Sequence, residues 1–116
     1  MGSAFARAAA RRGHRVVGVV GSFAGAIEGL AVQRKVDLAD EMATTAAVLD
    51  VFPQAIVNCA AVSVPEQCDV NPARAQALNV GLPATLARLA HHVSARLVHL
   101  SSEQVFDGTR ATPYAP

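Results

Sequence analysis

Short apolar runs alternate with stretches of helical spacing along this chain. The runs are rich in valine, isoleucine and leucine, and they predict buried strands at residues 14–20, 36–38, 54–62 and 96–101. Helical periodicity predicts helices at residues 3–12, 41–51 and 72–93. Residues 21–35 show little periodicity and are expected to be mostly loop. This alternation is typical of an α/β fold with a doubly wound parallel sheet.

Each predicted helix carries an apolar face that is expected to cover the sheet. Asp40 is expected to cap the second helix, and Asn71 with Pro72 to open the third. The predicted faces are Phe5, Ala8 and Ala9 in the first helix, Met42, Ala46 and Leu49 in the second, and Leu78, Leu82, Leu86 and Leu89 in the third.

Pro83 lies inside the third predicted helix. Its ring lacks the N–H that would bond the carbonyl of Asn79, four residues earlier. A kink is one expected consequence. The other is that the Asn79 carbonyl is available to a water or a ligand.

The composition narrows the class of protein. The 116 residues are 52% hydrophobic with 4% aromatic residues and a net charge of +1. They form one domain or part of one, and the charge argues against nucleic acid as main partner. No apolar run approaches the roughly 20 residues of a membrane span, so no membrane association is expected. Cys59 and Cys68 do not form a C-x-x-C pair, which favours reduced thiols in the cytoplasm.

The strand at residues 96–101 ends on the hydroxyls of Ser101 and Ser102. In an open parallel sheet, ligands bind just outside the carboxyl ends of the strands. The two serines are therefore candidate site residues, or they simply end the strand by bonding nearby backbone.

The histidines do not predict a metal site. His91 and His92 end the third predicted helix, where positive charge suits the helix dipole. No third ligand has the required spacing. His99 lies inside the last strand and is expected to be a hydrogen-bonded core residue.

Several motifs in order resemble one enzyme family. They are Gly2-Ser3-Ala4 before RRGHRVVGV, Val36-Asp37-Leu38, IVNCAA at residues 56–61, Cys68-Asp69 with Pro72, Ala75 and Asn79-Val80, and RLVHLSSEQVFDGT with Pro113-Tyr114. With this order and spacing the chain resembles the extended short-chain dehydrogenase/reductases, most closely the dTDP-4-dehydrorhamnose reductase-like branch.

The resemblance implies that residues 1–116 are a partial NAD(P)-binding domain, incomplete at both ends. Gly2 matches the third glycine of the family's G-x-x-G-x-x-G loop, so the first strand would precede Met1. The catalytic Tyr-x-x-x-Lys pair is absent, because Tyr114 matches a different element. Without the first strand, the strands at 14–20 and 54–58 are expected to leave a gap or pair directly, and open edges favour self-association.

The resemblance also implies roles for individual residues. Ser102 would hydrogen-bond the substrate carbonyl, and the Asn79 carbonyl would hold a water of the proton relay. Glu103 and Gln104, which replace the branch's common Asp-Tyr, would join Ser102 at the substrate. The implied cofactor-binding residues are Gly2, Asp37, Leu38, Asn58, Cys59, Ala60, Ala61 and Ser101.

The implied cofactor is NADP (NADPH), with NAD also possible. Val20-Gly21-Ser22 offers no acidic residue for a ribose 2′-hydroxyl, which favours the 2′-phosphate of NADP. The 116 residues alone are expected to bind it weakly or not at all.

Three functions fit this resemblance. The first is the N-terminal part of a sugar-nucleotide reductase acting on a 4-keto-6-deoxyhexose, inactive as it stands. The second is a non-catalytic dinucleotide-binding or regulatory subunit, which the Glu103-Gln104 departure keeps open. The third is a truncated product without function.

Overall fold

The computed structural model describes residues 1–102 and 105–114. It consists of short strands and helices joined by tight connections. In chain order these are α1 Gly2–Arg11, β1 Val17–Val20, β2 Val32–Lys35, α2 Glu41–Val51, β3 Ala55–Asn58, α3 Pro65–Val70, α4 Pro72–Gln76, a π-helical turn at Ala77–Gly81, α5 Leu82–His92 and β4 Arg96–His99.

The four strands form two separate parallel pairs. In one pair Val17 of β1 lies opposite Val32 of β2, and in the other Ala55 of β3 lies opposite Arg96 of β4. No strand within residues 1–102 and 105–114 joins the two pairs. The parallel strands and their helices confirm the predicted α/β class. Because β1 and β3 do not pair, the observed arrangement is the predicted gap.

The second strand was predicted at the wrong place. It occupies Val32–Lys35, inside the predicted loop, and not residues 36–38. Its exposed face carries Gln33 and Lys35, so β2 lacks the continuous apolar run that is typical of a buried strand. Residue Val36 only extends the ladder by donating to the Val20 carbonyl at 2.9 Å, and the chain then turns.

The connection from β1 to β2 crosses over without a helix. The side chain of Gln33 fastens it, accepting from the Ile27 N–H at 3.0 Å and donating to the Gly25 carbonyl at 2.7 Å. Gly29 adopts a φ of +90°, and a Cβ there would stand 3.0 Å from the Cα of Arg7. This loop therefore packs on the backbone of α1, and Gly29 makes that approach possible.

The apolar face of α5 was predicted correctly, and those of α1 and α2 were not. Leu82, Leu86 and Leu89 are buried, and α5 packs against α2, β3 and β4. On α2 the buried residues are Thr44 and Ala47, whereas Met42 and Leu49 are exposed and α1 buries only Ala6. Small side chains on α2 let α2 and α5 approach closely. The large apolar side chains of α2 therefore do not indicate which of its faces makes the contact.

The third predicted helix consists of two helices with a π-helical turn between them. The N–H of Leu82 donates to the carbonyl of Ala77, five residues earlier, instead of four. Pro83 follows at the start of α5, where a missing N–H is tolerated. The distortion expected from Pro83 thus takes the form of a wide turn that carries Asn79. The separate helix α3, which precedes α4, was not predicted.

The molecule is open for its size. Its accessible surface is 8192 Å², whereas a folded monomer of 12.0 kDa exposes about 6,000 Å². Its radius of gyration is 15.3 Å, against about 13 Å for a compact domain of this length. His99 was predicted to be a hydrogen-bonded core residue: it is hydrogen-bonded, to Asn58, but it is exposed and not part of the core. In the described part of the chain, no helix is long and apolar enough to cross a membrane.

Candidate functional site

Asn58 closes the end of β3 and ties it to β4. Its side chain is buried, and its Oδ1 accepts from the N–H of Ala60 at 3.0 Å. Because that backbone group only donates, the amide nitrogen must face His99, whose Nδ1 lies 3.1 Å away and accepts. The N–H of Leu100 also donates to the Asn58 carbonyl at 3.1 Å.

The first turn of α1 lies against the segment that follows β3. A Cβ added to Gly2 would stand 3.5 Å from the Cβ and 3.7 Å from the Sγ of Cys59, an ordinary packing distance. The N–H groups of a first helical turn lack helical partners and favour anions. Ala60 and Ala61 follow Cys59, and their small side chains leave the backbone approachable. This arrangement can receive a phosphate group.

Asp37 and Leu38 follow β2 and contact the helices. The Oδ1 of Asp37 accepts from the N–H of Ala39 at 3.1 Å and lies 3.4 Å from an Nη of Arg74. Leu38 lines an open cavity of about 270 Å³ between α2 and α5. The Asn71 side chain caps α4 by accepting from the Arg74 N–H at 3.0 Å, and this bond fixes the position of the Arg74 backbone.

Asn79 clamps the chain after β3 through its side chain. Its Oδ1 accepts from the N–H of Val62 at 2.8 Å, and its Nδ2 donates to the Val62 carbonyl at 3.0 Å. The predicted role concerned its backbone carbonyl, and that role stays a prediction. The side-chain clamp was not predicted, because the π-helical turn decides where the amide points.

Ser101 and Ser102 follow β4 and are both exposed. The carbonyl of Ser102 accepts from the N–H of Val105 at 3.4 Å. Glu103 and Gln104, predicted at the substrate, lie outside the described residues.

A polar cluster organises the segment after these serines. The hydroxyl of Tyr114 donates to Asp107 at 2.5 Å, and Thr109 donates to the same carboxylate oxygen through its N–H and hydroxyl. The Tyr114 ring lies 4.4 Å from that of Phe106, and the Arg110 guanidinium lies 5.4 Å from its centre. The hydrogen bonds from Tyr114 and then Thr109 lower the pKa of Asp107 below its ordinary 3.8.

The structure brings some predicted residues together and gives others unexpected partners. Gly2 meets Cys59, and Asn58 holds Ala60. Beyond their own turn, Asp37 and Leu38 make their contacts with the helices. The partners His99 and Arg74 were missed because they lie 41 and 37 residues away in sequence and no motif marks them.

Substitution of Asn58 tests the link between the strand ends. Asn58→Ala is expected to lower the free energy of unfolding by about 1–3 kcal/mol, since it leaves the Ala60 N–H and His99 Nδ1 without a partner. Urea unfolding of Asn58→Ala, His99→Ala and the double variant should give a coupling of about 0.5–1.5 kcal/mol. Strictly additive losses would contradict the Asn58–His99 bond.

Tyr114→Phe tests the polar cluster. The Tyr114 hydrogen bond is the largest cause of the lowered pKa of Asp107. Its loss is expected to move that pKa back towards 3.8, as measured by ¹³C NMR of the carboxyl group. Thr109→Val, which keeps the backbone bond, should move it less. Because the folded pKa is depressed, the stabilisation is present above pH 3.8 and lost as pH falls through the folded value. An equal or larger shift in Thr109→Val would contradict the order of causes.

Known proteins resemble this chain in sequence and in fold. It is 41% identical over 78 residues to methionine adenosyltransferase 2 subunit beta of Xenopus laevis, covering 67% of this chain and 23% of that protein. It is 37% identical over 78 residues to dTDP-4-dehydrorhamnose reductase of Streptomyces griseus, covering 67% of this chain and 26% of that protein. The chain thus spans about a quarter of the length of these relatives.

Two solved structures share the fold. The hypothetical dTDP-4-dehydrorhamnose reductase of Sulfolobus tokodaii matches with a TM-score of 0.76 and 26% identity, over 87% of this chain and 35% of that one. The dTDP-4-dehydrorhamnose reductase of Bacillus anthracis, solved in complex with NADP, matches with a TM-score of 0.64 and 20% identity, over 84% and 40%.

A family model described as the RmlD substrate binding domain matches residues 1–116, the whole of the chain. The parallel strands, the helix start beside Cys59 and the closed turn at Asn58 agree with that match. The chain belongs to the RmlD substrate binding domain family, the family of dTDP-4-dehydrorhamnose reductase-like proteins.

Proposed function

We propose that these residues are the N-terminal part of a cytoplasmic, NADP-dependent sugar-nucleotide reductase. The observation that carries the proposal is the first turn of α1 lying against Cys59, directly after the turn that Asn58 closes. A helix N-terminus at the carboxyl end of a parallel strand is the geometry that receives a dinucleotide pyrophosphate. NADPH, when bound, supplies the hydride. The substrate is a nucleoside diphosphate-linked 4-keto-6-deoxyhexose.

The residues of this chain fit such a cofactor at both of its ends. Gly2, Cys59, Ala60 and Ala61 present small side chains to the pyrophosphate and ribose, and the first turn of α1 presents its backbone N–H groups. At the adenine end, Asp37 offers a carboxylate acceptor to the exocyclic amine, and Leu38 offers an apolar surface. Ser101 completes the proposed set beside the nicotinamide.

The residues after β4, together with Asn79, act on the substrate. The Ser102 hydroxyl donates to the carbonyl oxygen and stabilises the negative charge that develops there during reduction. Glu103 and Gln104 contact the sugar. The Asn79 carbonyl orients a water that returns a proton. The single tyrosine, Tyr114, donates to Asp107 instead, and no Tyr-x-x-x-Lys pair occurs within residues 1–116, so we expect no turnover by these residues alone.

Titration with NADPH tests this function. We expect weak binding or none by calorimetry, and NMR shift changes confined to Gly2, Asp37, Leu38, residues 58–61 and Ser101 at millimolar cofactor. The flanking reading frame should encode a strand with a glycine loop upstream and Tyr-x-x-x-Lys downstream. Micromolar affinity would contradict the importance given to the glycine loop, and finding neither flanking element would contradict the reductase.

A non-catalytic subunit is the second candidate function. The chain is 41% identical to methionine adenosyltransferase 2 subunit beta of Xenopus laevis, which is named as a subunit of another enzyme. The departure Glu103-Gln104, where the branch often has Asp-Tyr, keeps this candidate open. NADPH oxidation by the complete gene product with a 4-keto-6-deoxy sugar nucleotide separates the two, because a non-catalytic subunit oxidises none.

We propose that residues 1–116 associate with further copies of themselves through open strand edges. Each strand pair leaves two edges unpaired within the described residues, and Val98 on β4 is 42% exposed. Unpaired, apolar edges invite edge-to-edge pairing. Sedimentation velocity across a concentration series is expected to show dimers or larger species. A monodisperse monomer with a cooperative thermal transition would contradict this.

A further inference from the structure

The ion pair between Arg74 and Asp37 does little for stability. The two side chains are 45% and 58% exposed, and their closest atoms lie 3.4 Å apart. Exposed pairs of this kind contribute little, because water screens the charges and two long side chains lose freedom. The pair is better explained by what it does to the direction of the Asp37 carboxylate.

Both contacts of that carboxylate fall on one oxygen. Oδ1 accepts from the N–H of Ala39 at 3.1 Å and from Arg74 at 3.4 Å. For Oδ2, the described residues provide no hydrogen bond within range. Two donors that converge on one oxygen restrict rotation of the side chain, so the second oxygen is held in a fixed direction.

Arg74 is itself held in place from its own backbone. Asn71 accepts from the Arg74 N–H at 3.0 Å, and Pro72 opens α4 with a fixed φ. Arg74 also lines an open cavity of about 380 Å³ with Val62, Glu66 and Val70. Arg74 thus lies in the capped first turn of α4, and its guanidinium reaches Asp37 in the turn that follows β2.

We propose that Arg74 is a positioning residue for purine recognition, holding Asp37 so that Oδ2 accepts from a 6-amino group. The proposal rests on the proposed function, in which Asp37 faces the adenine of the cofactor. An ionised carboxylate only accepts, so a fixed Oδ2 attracts the 6-amino group of adenine and repels the 6-oxo group of hypoxanthine. Arg74 thereby determines base selectivity without touching the base.

Titrations with adenosine diphosphate and inosine diphosphate, followed by ¹H–¹⁵N NMR of the full chain, test the proposal. Arg74→Met is expected to weaken binding of adenosine diphosphate about three- to tenfold, the effect of one oriented hydrogen bond, and to leave inosine diphosphate unchanged. Arg74→Lys should restore part of the loss, since the lysine ammonium can also donate to Oδ1 but lacks the planar guanidinium. The ratio of the two affinities is the decisive readout, because a merely structural role would weaken both nucleotides alike.

A matched control comes from another exposed arginine–carboxylate pair. An Nη of Arg34 lies 2.5 Å from an Oδ of Asp50. Asp50 is ten residues after Asp40, which places it about 15 Å along the axis of α2 from that residue. Arg34→Met should leave both affinities unchanged.

Asp37→Asn separates the two proposals. An amide can donate to a 6-oxo group, so the preference for adenosine diphosphate should collapse in this variant. If Asp37→Asn changes the preference and Arg74→Met does not, the role of Arg74 is overturned and the cofactor site stands. If neither substitution changes it, or if adenosine diphosphate shifts no resonance near Asp37, the adenine site is overturned as well.

Discussion

The leucine stripe of α5 is the contact on which the rest of the structure depends. Leu82, Leu86 and Leu89 are among the few large side chains that are buried, and α5 packs against β3, β4 and α2. Parallel strands cannot be joined by a tight turn and need a crossover connection, which for β3 and β4 includes α5. Within residues 1–102 and 105–114 the two strand pairs share no ladder, so helices connect them: α2 packs on α5, and α1 contacts both the loop before β2 and the segment after β3. The position of Asp37 relative to α4 follows from these helix contacts.

The sequence predicts those elements whose signals are local. The α5 stripe follows helical spacing, and Asp40 caps α2 by accepting from two N–H groups, so both were predicted. The strand β2 was misplaced because its residues alternate between half-buried and exposed and two of the four are charged. The buried face of α2 was missed because it consists of a threonine and an alanine. Close helix contact selects small side chains, and hydrophobicity does not rank them.

Candidate site residues could be identified one at a time, and their structural partners could not. Asn58, Asp37 and Asn79 were singled out by motif, and the roles assigned to them stay predictions. Their partners are His99 and Arg74, which lie 41 and 37 residues away, and the backbone of Val62. These pairs depend on strand register and helix rotation, which only the assembled fold determines. The polar chemistry of this surface is therefore a property of tertiary structure, although each residue type is visible in the sequence.

The π-helical turn at Ala77–Gly81 has a consequence for how this part of the chain can change. A π turn is equivalent to one residue inserted into a regular helix. The wide turn absorbs that extra residue, so the helices on either side keep nearly the same faces. Deleting one residue here would restore a regular helix and close the turn that directs the Asn79 side chain at Val62. The helix α4 and the leucine stripe would survive, but the segment after β3 would lose its clamp. The extra residue thus serves the position of that segment and not the continuity of the helix.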